Sequence, residues 1–240
     1  MTMTAVIVGV TLRGLLSRRR LLLLILLAGA PVLIALLVRA AGGRPDADRV
    51  LDTLVVRTIM PLVALIVGTA AIGSEIEDGT AVYLMVKPIA RWRIAAAKML
   101  VAAGLTAALV IPAVVLTGLL LGGRGSGTAT AVTAYGLACL AGGTAYALAF
   151  VALSVFTSRA LLIGLAYTLL WEGVLAGLLE GTRFLSIRQA TLGLASTLGA
   201  NVPGEPLSTT VSVLVLAVVL GGSFLLASWK LARFEIRGGD

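Results

Sequence analysis

Histidine is absent from the 240 residues, and cysteine occurs once, as Cys139. A disulfide within the chain, a His-based zinc site and a His general base are thereby excluded. The single thiol sits inside an apolar run and reads as a small packing residue. Charge is scarce as well, at 12% of residues, and aromatics make up 5%. A net charge of +8 would suggest nucleic acid in a soluble protein, but no basic patch interleaved with aromatics accompanies it, so no nucleic-acid partner is expected. A phosphate-cradling loop is also missing. The nearest glycine cluster, GGRGSGT at 122–128, lacks the Lys that follows Gly in a P-loop. No metal or nucleotide cofactor is therefore expected in this chain, which cannot hydrolyse ATP alone.

Apolar sequence is plentiful, at 59% of residues and a mean hydropathy of +1.08. So little polar sequence cannot clothe a soluble globule of this size, which leaves lipid as the solvent. Crossing a hydrocarbon layer of about 30 Å takes about 20 helical residues. Six runs reach that length: 21–41, 54–73, 97–121, 131–155, 161–180 and 209–231. The expected fold is an all-α membrane protein of one domain, with an interfacial helix over 1–20, six spans within 21–231 and a tail over 232–240. In the first segment Val6, Val10, Leu12 and Leu15 face lipid and Arg13 faces water. The basic clusters at 13–20, 87–98, 159 and 230–237 fall on one side of this arrangement. They outweigh Arg39, Arg44, Arg49 and Arg57 in the first opposite loop, where Asp46, Asp48 and Asp52 can partner them. The bias predicts a multi-pass protein of the cell membrane with both termini cytoplasmic. Arg18, Arg19 and Arg20 read as its membrane-surface anchor, with specific anionic-lipid binding as the sharper alternative.

Pro31, Pro61 and Pro112 fall within the first three spans, where each removes a backbone hydrogen bond. Gly118/Gly122 and Gly173/Gly177/Gly181 recur at four-residue intervals, which lets another helix approach, either within one subunit or across a dimer seam. Residues 186–200 are moderately apolar and too short to span, so they are expected as a re-entrant or interfacial helical pair or as a plain outer loop. Glu172 lies in the middle of the fifth span beside Trp171. A carboxylate there costs roughly 2.5–3.5 kcal/mol on insertion scales. Two readings account for it: Trp171 and Glu172 line a translocation path, or Glu172 is hydrogen-bonded to Tyr, Thr or Ser on a neighbouring span.

The most informative stretch is 74–98, SEIEDGTAVYLMVKPIARWRIAAAK, set between the second and third apolar runs. Glu75, Glu77 and Asp78 come first, then Gly79 and Thr80, a short apolar run, Pro88, and finally Arg91, Arg93 and Lys98. If 82–87 is helical, acids stand at its positive end and bases at its negative end, and Asp78 can cap it. The succession Glu75, a second acid, Gly79-Thr80, an apolar turn, Pro88, Arg91 and Lys98 resembles the cytoplasmic loop after the second span of ATP-binding-cassette permeases of the ABC-2 exporter type. That resemblance implies a coupling helix pressing on a separate ATPase subunit, with Glu75, Glu77, Asp78, Gly79 and Thr80 receiving the push. Arg91 and Lys98 would anchor the next span at the surface. It further implies two permease copies forming the conduit as a homodimer, two ATPase copies below them binding ATP and Mg, and an N-terminal interfacial helix.

Two other classes are weaker. An intramembrane enzyme lacks parts, since no HExxH, intramembrane Asp pair or cysteine dyad is present. An ATP-independent channel or secondary carrier usually shows more intramembrane polar residues or broken-helix repeats, whereas Glu172 is the lone central acid.

Overall fold

The computed structural model describes Gly9 and residues 17–43, 46–77, 91–122, 126–175 and 180–233. Every regular element among them is helical. Helix α1 spans Arg18–Ala40. Helix α2 begins at Ala47–Val50, winds as a π-helix over Leu51–Ile59 and continues as Met60–Glu77. Next come α3, Arg91–Gly122, and α4, Ser126–Phe156. Helix α5 is α-wound over Ala160–Ala166 and π-wound over Tyr167–Leu175. A 3₁₀ turn, Glu180–Leu185, leads to α6, Ile187–Thr197, and α7, Thr209–Ala232, closes the order.

The burial pattern is that of a bundle solvated by lipid. On α1 only Leu24, Ala28, Pro31 and Ala35 are buried, a stripe at three- to four-residue spacing. Leu22, Leu23, Leu26, Leu33 and Leu37 stay exposed, which is costly in water and free in hydrocarbon. On α7 the buried stripe is Ser212, Leu216, Ser223, Ala227 and Leu231. Helix α4 is the hub, packed against α2, α3, α6 and α7. Its inward residues are small, including Ala134, Ala138, Ala145 and Ala147, with Cys139 buried among them.

Among the described residues, five helices are long and apolar enough to cross a membrane: Arg18–Ala40, Ala47–Ile72, Trp92–Gly122, Gly127–Phe156 and Thr209–Ala232. The run expected as a fifth crossing at 161–180 is a shorter apolar helix, Ala160–Val174. The expected interfacial helix falls outside the described residues apart from Gly9 and 17–20. Arg18, Arg19 and Arg20 form the exposed first turn of α1 itself rather than the end of a separate element. Of the expected tail, 234–240 also lies outside them.

Two boundaries differ from the reading of the sequence. Helix α2 starts at Ala47, so Asp48, Asp52 and Arg57 sit on a helix and not in a loop. Asp46 supplies the cap by accepting the Asp48 N–H at 3.1 Å. The π winding stops one residue before Met60-Pro61, and Met60 N–H donates five residues back to Val55 O. Pro61 has no N–H and crowds the carbonyl four residues earlier, and a wider turn accommodates both defects. The second difference concerns 186–200, where a single helix, α6, stands in place of the helical pair or plain outer loop expected there. Of α6, Ile187, Arg188, Ala190, Thr191, Leu192, Gly193 and Ala195 are all buried.

Glycine allows that burial. A Cβ on Gly193 would stand 2.2 Å from Ser212 Oγ and 2.6 Å from Leu207 O, and one on Gly142 of α4 would stand 2.0 Å from Thr191 Oγ1. Gly118 and Gly122 meet Val132 and Thr128 of α4 in the same way. Their spacing therefore serves packing within one subunit.

Candidate functional site

Two places collect the polar groups of this apolar bundle. The first is the joint between α5 and α6. Glu172 is 2% exposed and its carboxylate meets three donors. Tyr167 OH donates to Oε1 at 2.9 Å, Ile187 N–H donates to the same oxygen at 3.0 Å, and Ser186 Oγ closes on Oε2. Ser186 is also the N-cap of α6, accepting the Gln189 N–H at 3.0 Å. Glu172 therefore sits at the positive end of α6, where a negative group is stabilised, and it fastens one end of α5 to that helix. Trp171 lies beside it, half-buried, with Nε1–H directed at Leu185 O at 3.4 Å. Trp171 and Glu172, expected along a translocation path, thus both contact the segment that leads into α6. The partners are of the Tyr and Ser types in the second reading of Glu172, but Tyr167 lies on the same helix and Ser186 caps α6, so neither stands on a neighbouring span.

Arg188 completes this cluster and was not singled out from the sequence. It is 4% exposed and within electrostatic reach of Glu172, Asp52, Arg57 and Tyr146. Burial, reinforced by Arg57, pushes the guanidinium below its usual pKa, while Glu172 and Asp52 oppose that shift. Its Nε–H has no hydrogen-bond partner among the described residues. The signal that locates this helix is local: Ser186 and Gln189 stand at the two defining positions of a capping box, S-x-x-Q. No group of His, Cys, Asp and Glu among the described residues could hold a metal ion.

The second place is the end of the bundle where α2 stops and α3 begins. Lys98 reaches across from α3, donating from Nζ to Ala71 O of α2 at 2.8 Å. It is 2% exposed, packed between helices, where the resemblance implied an anchor at the surface. Its ammonium ties two adjacent helices below the segment that joins them. A sequence profile described as ABC-2 family transporter protein matches residues 16–171. The chain belongs to that family. No curated protein matches it.

Membership of the ABC-2 transporters makes this a component of a transporter, not an enzyme in itself. The matched stretch takes in α1 to α4 and the segment at 74–98, and it stops at Trp171, ahead of Glu172 and α6. Within that segment Glu75 and Glu77 lie on the last turn of α2 and Arg91 opens α3. Asp78, Gly79, Thr80 and Pro88 lie outside the described residues. Of this segment, the structure therefore describes Glu75 and Glu77 at the end of α2 and Arg91 at the start of α3, with Lys98 tying the two helices together.

A substitution series separates the volume of Lys98 from its charge. Lys98→Met keeps most of the stem and removes the buried ammonium, so stability is expected to stay within about 1 kcal/mol of the parent. Lys98→Ala leaves a cavity and is expected to cost about 2–4 kcal/mol. Thermal unfolding of the purified protein in detergent distinguishes the two. Equal losses for both would assign the role to the charge alone.

Proposed function

We propose that this chain is the membrane-spanning permease subunit of an ATP-driven exporter, and that ATP and Mg are bound by a separate ATPase subunit. The observation that carries this reading is the family match over 16–171, which includes the acid-Gly-Thr-Pro-Arg segment. By this reading Glu75, Glu77, Asp78, Gly79, Thr80 and Pro88 form the receiving surface. Arg91 starts the helix that carries the motion away, and Lys98 transmits it to α2. The complex holds two ATPase copies and two copies of this chain as a homodimer in the cell membrane, with both termini in the cytoplasm. Helix α5 supplies a sixth crossing, and α6 re-enters from the outer side. Glu172 then serves transport by setting the angle between these two helices.

Gly79→Val tests the coupling role. Gly79 belongs to the charged segment between two apolar runs, which this reading puts outside lipid, so membrane insertion and thermal stability should hold within about 0.5 kcal/mol. ATPase stimulation by the permease should fall about fivefold, at the low end of site-to-site coupling energies. Stimulation at the parental level would remove this segment from the coupling pathway. Transport by the purified chain in vesicles without any ATPase would favour a channel or secondary carrier instead.

A further inference from the structure

A groove of about 520 Å³ opens on the flank of the bundle between α3, α4 and α7. Its walls include Ala96, Leu100 and Gly104 of α3, Leu140 and Leu148 of α4 and Phe224 of α7. The one hydroxyl on its lining, Thr144 Oγ1, is turned back onto Leu140 O at 2.6 Å and offers a ligand little. From Ala96 to Ala107 the groove follows α3 for about 16 Å at 1.5 Å per residue. That is about one leaflet of a hydrocarbon layer roughly 30 Å thick.

The mouth of the groove has a different chemistry. Four and three residues before Ala96 on the same helix face stand Trp92 and Arg93. Two four-residue steps beyond Leu148 on α4 stands Phe156. Trp92 and Phe156 are about half exposed. The Arg93 guanidinium lies 5.4 Å from the Trp92 ring and the Lys230 ammonium 5.6 Å from the Phe156 ring. Aromatic rings beside cations are the usual furniture of a membrane interface. The acids whose side chains are described, Asp46, Asp48, Asp52, Glu172 and Glu205, all belong to other parts of the bundle. Among the described side chains the patch is therefore apolar along its length and cationic at one end.

We propose that this groove binds an anionic glycerophospholipid, with one acyl chain along α3 and the headgroup phosphate between Arg93 and Lys230. Charge complementarity selects this occupant over a second copy of the chain. An isologous contact through this face would place the same cationic mouth on both partners without a described carboxylate to meet it. A lipid phosphate supplies negative charge at that mouth, and each Lys or Arg near a membrane surface contributes measurably to such binding. The proposal rests on the chain being embedded in a membrane and not on ATP coupling, so its test involves no nucleotide.

The test titrates the full-length chain in detergent with dioleoylphosphatidylglycerol or dioleoylphosphatidylcholine and counts retained lipids by native mass spectrometry. Phosphatidylglycerol should be retained preferentially. The double substitution Arg93→Gln with Lys230→Gln, both outside the packed core, should weaken phosphatidylglycerol retention roughly tenfold and leave phosphatidylcholine unchanged. Gly104→Phe should reduce both, because a Cβ on Gly104 meets nothing within 4 Å and the ring then fills the groove. Size-exclusion profiles confirm that each variant is folded. Equal retention of the two lipids by the parent, or retention indifferent to all three changes, overturns the proposal. Conversion of a dimer to a monomer by Gly104→Phe, with lipid retention unchanged, would give this face to a second copy instead.

Discussion

Glu172→Ala is expected to destabilise the folded protein by about 3 kcal/mol or more, and Glu172→Gln by much less. The carboxylate accepts from Tyr167 OH and Ile187 N–H and contacts Ser186 Oγ. Alanine removes all three partnerships at a site that water does not reach, and each donor left without an acceptor costs about 1–3 kcal/mol. Glutamine keeps one oxygen for Tyr167 and Ile187 and presents an amide N–H₂ to Ser186, whose hydroxyl can accept. Ser186 also caps α6, so a loss at Glu172 propagates to the start of that helix. In a chain of this size about 3 kcal/mol corresponds to roughly 6–12 °C in the thermal midpoint. A midpoint within 2 °C of the parent for Glu172→Ala would show that the joint carries no stability. If Glu172→Gln folds normally yet slows transport, the carboxylate has a part in the cycle beyond fastening α5 to α6.

Gly193→Val should cost at least about 2–3 kcal/mol, because its obstacle is backbone. The new Cβ would stand 2.6 Å from Leu207 O and 2.2 Å from Ser212 Oγ, and the carbonyl cannot rotate away. Helix α6 must lift from α7, and overpacking of this kind costs about 1–3 kcal/mol before any branching is counted. Gly142→Ala offers a contrast. The three atoms nearest its Cβ all belong to the side chain of Thr191, so Gly142→Ala combined with Thr191→Ala should recover most of the loss. Gly173→Ala serves as the control, since only Thr168 O lies near its Cβ, at 3.6 Å. There alanine should be neutral or slightly stabilising, as helix propensity predicts. Parental stability for Gly193→Val, read by thermal unfolding in detergent, would mean that α6 is not seated against α7.

The helical membrane class was legible because hydropathy is a bulk property. Runs such as 21–41 and 209–231 need no knowledge of their neighbours to be recognised, and α1 and α7 match them closely. The family was legible at 74–98, where Gly79, Thr80 and Pro88 punctuate a charged stretch between two apolar ones. What failed to show was which polar side chains turn inward. Lys98 follows Arg91 and Arg93 and looks like one more surface charge, yet helical geometry turns it toward Ala71. Arg188 resembles an outer-loop cation until α6 is seen packed among α4 and α7. Asp52 and Arg57 read as loop residues because charge ends a hydropathy run, whereas the helix continues through them to Ala47. Pairing across helices depends on tertiary contacts that no single-chain pattern encodes, and residue spacing on one helix reports only half of each pair.

The short cross-tie from Lys98 to Ala71 has a mechanical corollary. Ala71 lies about 9 Å below the Glu77 end of its helix and Lys98 about 10 Å below the Arg91 end of its own, at 1.5 Å per residue. The two ends thus behave as the prongs of a tuning fork joined near the stem. A load applied to the strip bridging the prongs cannot pull one helix without dragging the other. On the proposed coupling role, such a load would reach the bilayer as a tilt of the pair and not as stretching of either member.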